Sequence, residues 1–269
     1  MSELLSILLP TRGRTTMLER SIMSLIDNAA DAANIEWIMA FDDDDADSLA
    51  YFQEKIIPRI EASGGAYEVM IFPRLGYQRL NEYINALAAE AQGEWMIFWN
   101  DDAVMLDQDW DNSIRAETGR FVIQAFDTHK GHPYSIFPIV PRAWYDVLGH
   151  LSLHPLNDAW ISQIAWLLDI MLRTEIKVDH DRFDLTGNNK DATFDGRRMW
   201  ELEGNPQNPR DFNHVNNRQL RMQDAARLHQ YMESKGYDTT AYQECRDGKR
   251  DPWAKMLAFD KNRQMTRFK

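Results

Sequence analysis

The sequence predicts an α/β fold: a mainly parallel sheet flanked by helices, followed by a C-terminal extension of helical and irregular structure. Three observations carry the prediction. Short, continuously apolar runs of strand length alternate with helix-length segments through residues 4–99. Three of those runs end in polar loops, TRGR, DDDD and NDD. The last third of the chain loses the alternation and becomes rich in Asn, Gly, Pro and basic residues.

Residues 4–9 (LLSILL) form the first apolar run, stopped by Pro10, and read as a strand buried on both faces. After the TRGR loop, Thr16 and Glu19 make a T-x-x-E capping pattern. Leu18, Ile22, Leu25, Ile26 and Ala29 follow at helical spacing. Residues 35–41 (IEWIMAF) are a second strand that runs into Asp42-Asp43-Asp44-Asp45. Residues 48–62 read as a helix and 67–72 as a third strand. Leu80, Ile84, Leu87, Ala88 and Ala91 mark the next helix, with Gly93 as its stop. Residues 94–99 (EWMIFW) are the fourth strand and lead into Asn100-Asp101-Asp102.

Strands are further expected at 121–126, 134–140 and 174–183, with a long helix over 154–172. Residues 186–216 read as irregular, with the length and composition of a lid. A helix at 217–235 ending at Gly236 and an amphipathic stretch at 251–259 complete the chain. The expected division is an α/β region over 1–185 and a C-terminal extension, with the candidate lid, over 186–269.

Length and composition set bounds. The 269 residues suffice for a sizeable core. The single cysteine, Cys245, excludes an internal disulfide and suits a reducing compartment. No stretch approaches the roughly 18 apolar residues of a membrane span. The N-terminal apolar run lacks a basic leader and reads as a strand, so a cytoplasmic location is expected. The net charge of −12 argues against wholesale nucleic-acid binding. The charge is uneven: residues 186–269 hold 16 Lys+Arg against 12 Asp+Glu, and the rest of the chain holds 14 against 30.

Paired acids at the mouth of a buried strand carry the chemistry. Two adjacent carboxylates repel unless something neutralises them, and a hard cation such as Mn²⁺ or Mg²⁺ does so with oxygen ligands. In open α/β sheets ligands bind beyond the carboxyl ends of the strands, where all three polar loops fall. Arg12 and Arg14 are candidates for phosphate pairing.

The order SILLPTRGR, IEWIMAFDDDDAD, helix, GEWMIFWNDD resembles the GT-A fold glycosyltransferases, in particular the inverting family 2 group. The resemblance covers roughly residues 4–183. It implies a donor nucleotide held by Thr11, Arg12 and Arg14, by Asp42 and Asp44, and by the Arg74-Leu75-Gly76-Tyr77 turn with Asn81. The remaining acids of the DDDD run are expected in solvent. The metal motif of the group reads Asn100-Asp101-Asp102 here, with asparagine at the first acid. Asp102 is then the metal ligand, Asp101 a helper at the ribose, and His180 a second metal ligand. Asp158, in NDAWI, takes the place of the catalytic base. Asp158 reads also as a helix cap, a role for which Asn157 competes, and His180 as an ordinary histidine. Trp99, Trp144 and Trp160 read first as core and second as stacking platforms.

The implied activity is metal-dependent transfer of a sugar from a nucleotide-sugar, a UDP-sugar first, to an acceptor hydroxyl with inversion. The acceptor classes left open are glycans, small molecules and modified bases in DNA. The last draws on Arg197, Arg198, Arg210, Arg218 and Arg221. Two other classes compete. A sugar-phosphate nucleotidyltransferase would carry a second glycine in the first loop, where TRGR has one. A non-catalytic nucleotide- or sugar-binding module would keep the acids without turnover.

Overall fold

The computed structural model describes residues 3–117, 122–127, 134–181 and 208–251, together with Gly187 and Asp195. Four parallel strands build the first half of the sheet: β1 (Leu5–Pro10), β2 (Ile35–Asp42), β3 (Ala66–Phe72) and β4 (Trp95–Phe98). Four more complete it: β5 (Ala103–Met105), β6 (Val122–Asp127), β7 (Pro138–Pro141) and β8 (Met171–His180). The order across the sheet is β3-β2-β1-β4-β7-β6-β8-β5. β7 runs antiparallel to β4 and β6, β8 is parallel to β6, and β5 is antiparallel to β8.

Helices cover both faces, and the alternation of side chains along the strands explains the two cores. Leu8, Ile38, Ala40, Met96 and Phe98 face one layer. That layer contains α4 (Leu80–Glu90), α6 (Arg142–Leu148), α7 (Asn157–Leu168) and, from the C-terminal part, α8 (Val215–Ser234) and α9 (Thr240–Arg246). Ile7, Leu9, Trp37, Met39, Phe41 and Ile97 face the other. There they meet α1 (Thr15–Asn28), α2 (Ala46–Tyr51), a π turn at Phe52–Ile56, α3 (Ile57–Ala62) and α5 (Trp110–Arg115). Covered on both faces, β1 and β2 are buried and mostly apolar, with the buried Ser6 hydroxyl donating to Glu36, whereas β3, at the sheet edge, is largely exposed.

Several local expectations are corrected. The T-x-x-E pattern does not cap α1: the helix starts at Thr15, after Arg14, with no side-chain cap bond. The Glu19 carboxylate instead accepts a hydrogen bond from the Tyr51 hydroxyl. Gly93 does not stop α4, which ends at Glu90 with Ala91 as its cap. A Cβ at Gly93 would stand 2.8 Å from the Leu4 carbonyl oxygen and the Ser6 nitrogen, so close approach to β1 requires the glycine. The helix expected over 154–172 is shorter. It ends at Asp169, which is left-handed at φ 55°, because residues from Met171 onward pair with β6. The strand expected at 134–140 is limited to Pro138–Pro141. The stretch 251–259 lies outside the described residues but for Asp251, as do Arg197, Arg198 and most of 186–207.

Trp99, Trp144 and Trp160 are core residues, each at most 1% exposed. Arg221 points inward. Its guanidinium lies 4.1 Å from the Phe212 ring centroid and 5.3 Å from that of Trp160, and donates to the Phe212 carbonyl. Burial lowers its pKa to about 10. Among the described residues, no helix is long and apolar enough to cross a membrane.

Candidate functional site

The loop between β1 and α1 binds the other strand ends together. Thr11 donates its hydroxyl to Asp101 at 2.8 Å. Arg12 bonds Asp42 at 2.9 Å and reaches Asp44 with both terminal nitrogens. The Gly13 amide donates to the Asp45 carboxylate at 2.8 Å and to Ser48 Oγ at 3.0 Å. Gly13 sits at φ 64°, a conformation that suits glycine and lets the loop turn into α1. Arg14 Nη1 donates to Asp101 Oδ1 at 2.7 Å and to Asp102 Oδ2 at 3.2 Å. The three polar loops of the sequence therefore meet at the carboxyl edge of β1, β2 and β4.

The paired acids are 6% and 5% exposed. Burial raises the pKa of Asp101, against the pull of Arg14. Burial also works against the charge of Asp102, yet His180 and Arg14 outweigh it and hold its carboxyl below the usual range. β8 delivers His180: it pairs antiparallel with β5, Ala103 faces His180 in the register, and the Asp181 amide donates to the Asp102 carbonyl at 2.9 Å. His180 Nε2 then stands 3.2 Å from Asp102 Oδ1 and 3.5 Å from Asn100 Nδ2. The ring packs edge-on against Phe137.

This pair fits a divalent cation. Adjacent ligands of an octahedral ion bonded at about 2.1 Å lie about 3.0 Å apart. The 3.2 Å between Asp102 Oδ1 and His180 Nε2 is the length of their hydrogen bond and lies near that spacing. Among the described residues no group of three or more such ligands occurs. A cation here would complete its shell with water and phosphate oxygens, as Mg²⁺ and Mn²⁺ sites at nucleotides do.

The donor-side candidates divide. Asp42 is buried, with Oδ2 on Arg12 and Oδ1 accepting from the Tyr83 hydroxyl. Tyr83 also accepts the Leu75 amide at 2.8 Å, so it ties the end of β2 to the Arg74–Tyr77 turn. Asp44 is half-exposed between Arg12 and Arg74, whose nearest nitrogen is 3.9 Å away. Gly76 is left-handed at φ 72° and starts the turn into α4. Asn81 lies half-buried in the first turn of α4, and no hydrogen bond is described for it. Asp45, expected in solvent, instead caps α2 and holds Gly13.

Asp158 sits half-buried in the first turn of α7, and its Oδ1 accepts the Ala159 amide at 2.8 Å. Neither Asp158 nor Asn157 is the cap residue, which is Leu156. β8 runs toward the acidic edge and ends there at His180. α7 precedes β8 through a two-residue link and packs on it, with Asp158 at the helix end away from that link. Sequence reasoning missed Tyr83. The available signal was a tyrosine on the apolar face of α4, whose hydroxyl needs a buried partner.

The architecture matches solved structures along most of its length. A mannosyltransferase from Pyrobaculum calidifontis, solved with GDP-Man and Mn²⁺, superposes with a TM-score of 0.56 at 12% identity, over 96% of this chain and 85% of that one. Residues 1–349 of TarS from S. aureus, solved with UDP, give 0.51 at 12% identity, over 91% and 92%. The fold is that of the GT-A glycosyltransferases. No protein-family model and no curated protein matches the sequence. In the GT-A fold of this chain, the parallel half of the sheet carries Arg12, Arg14 and the acids, and the mixed half brings His180 to them.

Proposed function

We propose that the protein is a metal-dependent glycosyltransferase that moves a sugar from a nucleotide-sugar to an acceptor hydroxyl with inversion. The observation that carries this reading is the meeting of Arg12, Arg14, Asp42, Asp101, Asp102 and His180 at the carboxyl edge of a GT-A sheet. The solved neighbours, with UDP in one and GDP-Man and Mn²⁺ in the other, add support.

Asp42, fixed by Arg12 and Tyr83, receives the N–H or hydroxyl groups of the nucleoside. Asp101, held by Thr11, faces the ribose. Arg12 and Arg14 are the cations available to a diphosphate, with Arg74 and the Gly76 turn beside them. Asp102 and His180 would hold Mn²⁺ or Mg²⁺, which would supply positive charge against a leaving diphosphate. Asp158, at the N-terminus of α7, takes the proton of the attacking hydroxyl. A UDP-sugar is the first donor to try and a GDP-sugar the second. The acceptor is a glycan, a small molecule or a modified base in DNA. Of the five arginines that favoured DNA, Arg221 is buried in the core and drops out of that case, while Arg210 and Arg218 are exposed.

The test is turnover with a panel of UDP- and GDP-sugars and Mn²⁺, read as released nucleotide, on wild type and Asp158→Asn. Release by the wild type, lost in the variant with nucleotide affinity kept, supports the assignment. Nucleotide binding without release from any sugar and acceptor would favour a non-catalytic module.

A further inference from the structure

A single guanidinium nitrogen of Arg14 bonds both buried carboxylates of the candidate metal site, at 2.7 and 3.2 Å, with its side chain 13% exposed. A dication at Asp102 would sit beside a guanidinium that already bonds Asp101 Oδ1 and Asp102 Oδ2, so the two cations would repel and compete for the same carboxylates. A diphosphate restores the balance and offers Arg14 new acceptors in a geometry its fork suits. Arg14 stands at the N-terminus of α1, where the helix dipole also favours an anion.

We infer that Arg14 is an exchangeable counter-ion: it opposes a divalent cation at Asp102 when no nucleotide is bound and passes to the donor diphosphate, so that cation and nucleotide enter as a coupled pair. This rests on the reading of the site as a nucleotide-sugar site. Arg14 is therefore a positioning and binding residue whose removal acts with opposite sign on the two ligands. A purely structural role would weaken both.

The experiment measures Mn²⁺ affinity without nucleotide, by the paramagnetic resonance of free Mn²⁺, and UDP and GDP affinity with Mn²⁺, by calorimetry. The proteins are wild type, Arg14→Gln, Arg14→Met and Arg14→Lys. Both neutral variants are expected to bind Mn²⁺ alone at least about threefold tighter than wild type. They are expected to bind nucleotide at least about tenfold more weakly. The lysine variant keeps the charge and should stay within about twofold of wild type for Mn²⁺. Either neutral variant decides the matter if the other fails to fold. Unchanged or weaker Mn²⁺ binding in the neutral variants overturns the inference, as does unchanged nucleotide binding. Failure of the wild type to bind any nucleotide is a different result. It overturns the donor-site reading and the transfer to phosphate, while the Mn²⁺ comparison still reports whether Arg14 opposes the cation.

Discussion

Replacing Tyr83 by Phe removes one oxygen atom and tests how the donor side is held. The hydroxyl donates to the buried Asp42 carboxylate and accepts the Leu75 amide. A hydrogen bond to a charged group contributes about 1.5–3 kcal/mol, and one between neutral groups about 1. Asp42 keeps its bond from Arg12, and Leu75 is only half-buried, so water can replace part of the second loss. The expected cost is about 2–3 kcal/mol, a fall in Tm of about 5–10 °C for a chain of this size. The same change frees the Asp42 carboxylate and loosens the Arg74–Tyr77 turn, so nucleotide affinity should fall about tenfold in calorimetry. A variant with unchanged Tm and unchanged nucleotide affinity would refute the claim that Tyr83 fixes Asp42 and the turn.

The same residue gives a pH dependence: burial, then Asp42, raises its pKa from 10.0 to about 12. Because the folded value is the higher one, its contribution is intact below pH 10.0 and is lost as pH rises through about 12. The loss corresponds to about 3 kcal/mol and should be missing when Tyr83→Phe is unfolded by denaturant over the same range. Gly93→Ala would push a methyl into the Leu4 carbonyl and the Ser6 backbone, which cannot swing aside. A loss of about 3 kcal/mol or more in denaturant unfolding is expected. Asp111 is fully buried, accepts the Ala30 and Asp31 amides at 2.7 and 2.9 Å, and pairs with Arg115. Asp111→Asn should cost about 3 kcal/mol, read as a fall in Tm. That is the low end for a broken buried pair, because Arg115 also donates to the Glu3, Asp31 and Asn34 carbonyls.

The parallel half of the fold was legible because its signal is local. LSILLP and IEWIMAFD are buried on both faces, so their sequences are apolar but for Ser6 and Glu36 until the acid that ends β2. The acids that follow break that pattern abruptly, and a buried strand ending on charge marks a site. The mixed half was less legible because long-range pairing decides it. Met171 belongs equally to a helical and a strand pattern, and only the β6 and β5 ladders assign it to β8. The T-x-x-E pattern failed because the start of α1 is set by the loop that directs Arg14 to Asp101 and Asp102, not by a side-chain cap. Tyr83 and Asp45 escaped for a related reason: their partners, Asp42 and Gly13, are distant in sequence.

The central claim is that the acidic edge of the sheet binds a nucleotide together with a divalent cation held by Asp102 and His180. Calorimetric titration with UDP and GDP, with and without Mn²⁺, on wild type and Asp102→Asn tests it most directly. One nucleotide is expected to bind in the presence of Mn²⁺, and the variant to weaken this binding at least about tenfold, about 1.4 kcal/mol. Binding of neither nucleotide under any condition, or equal binding by wild type and variant, would contradict the claim.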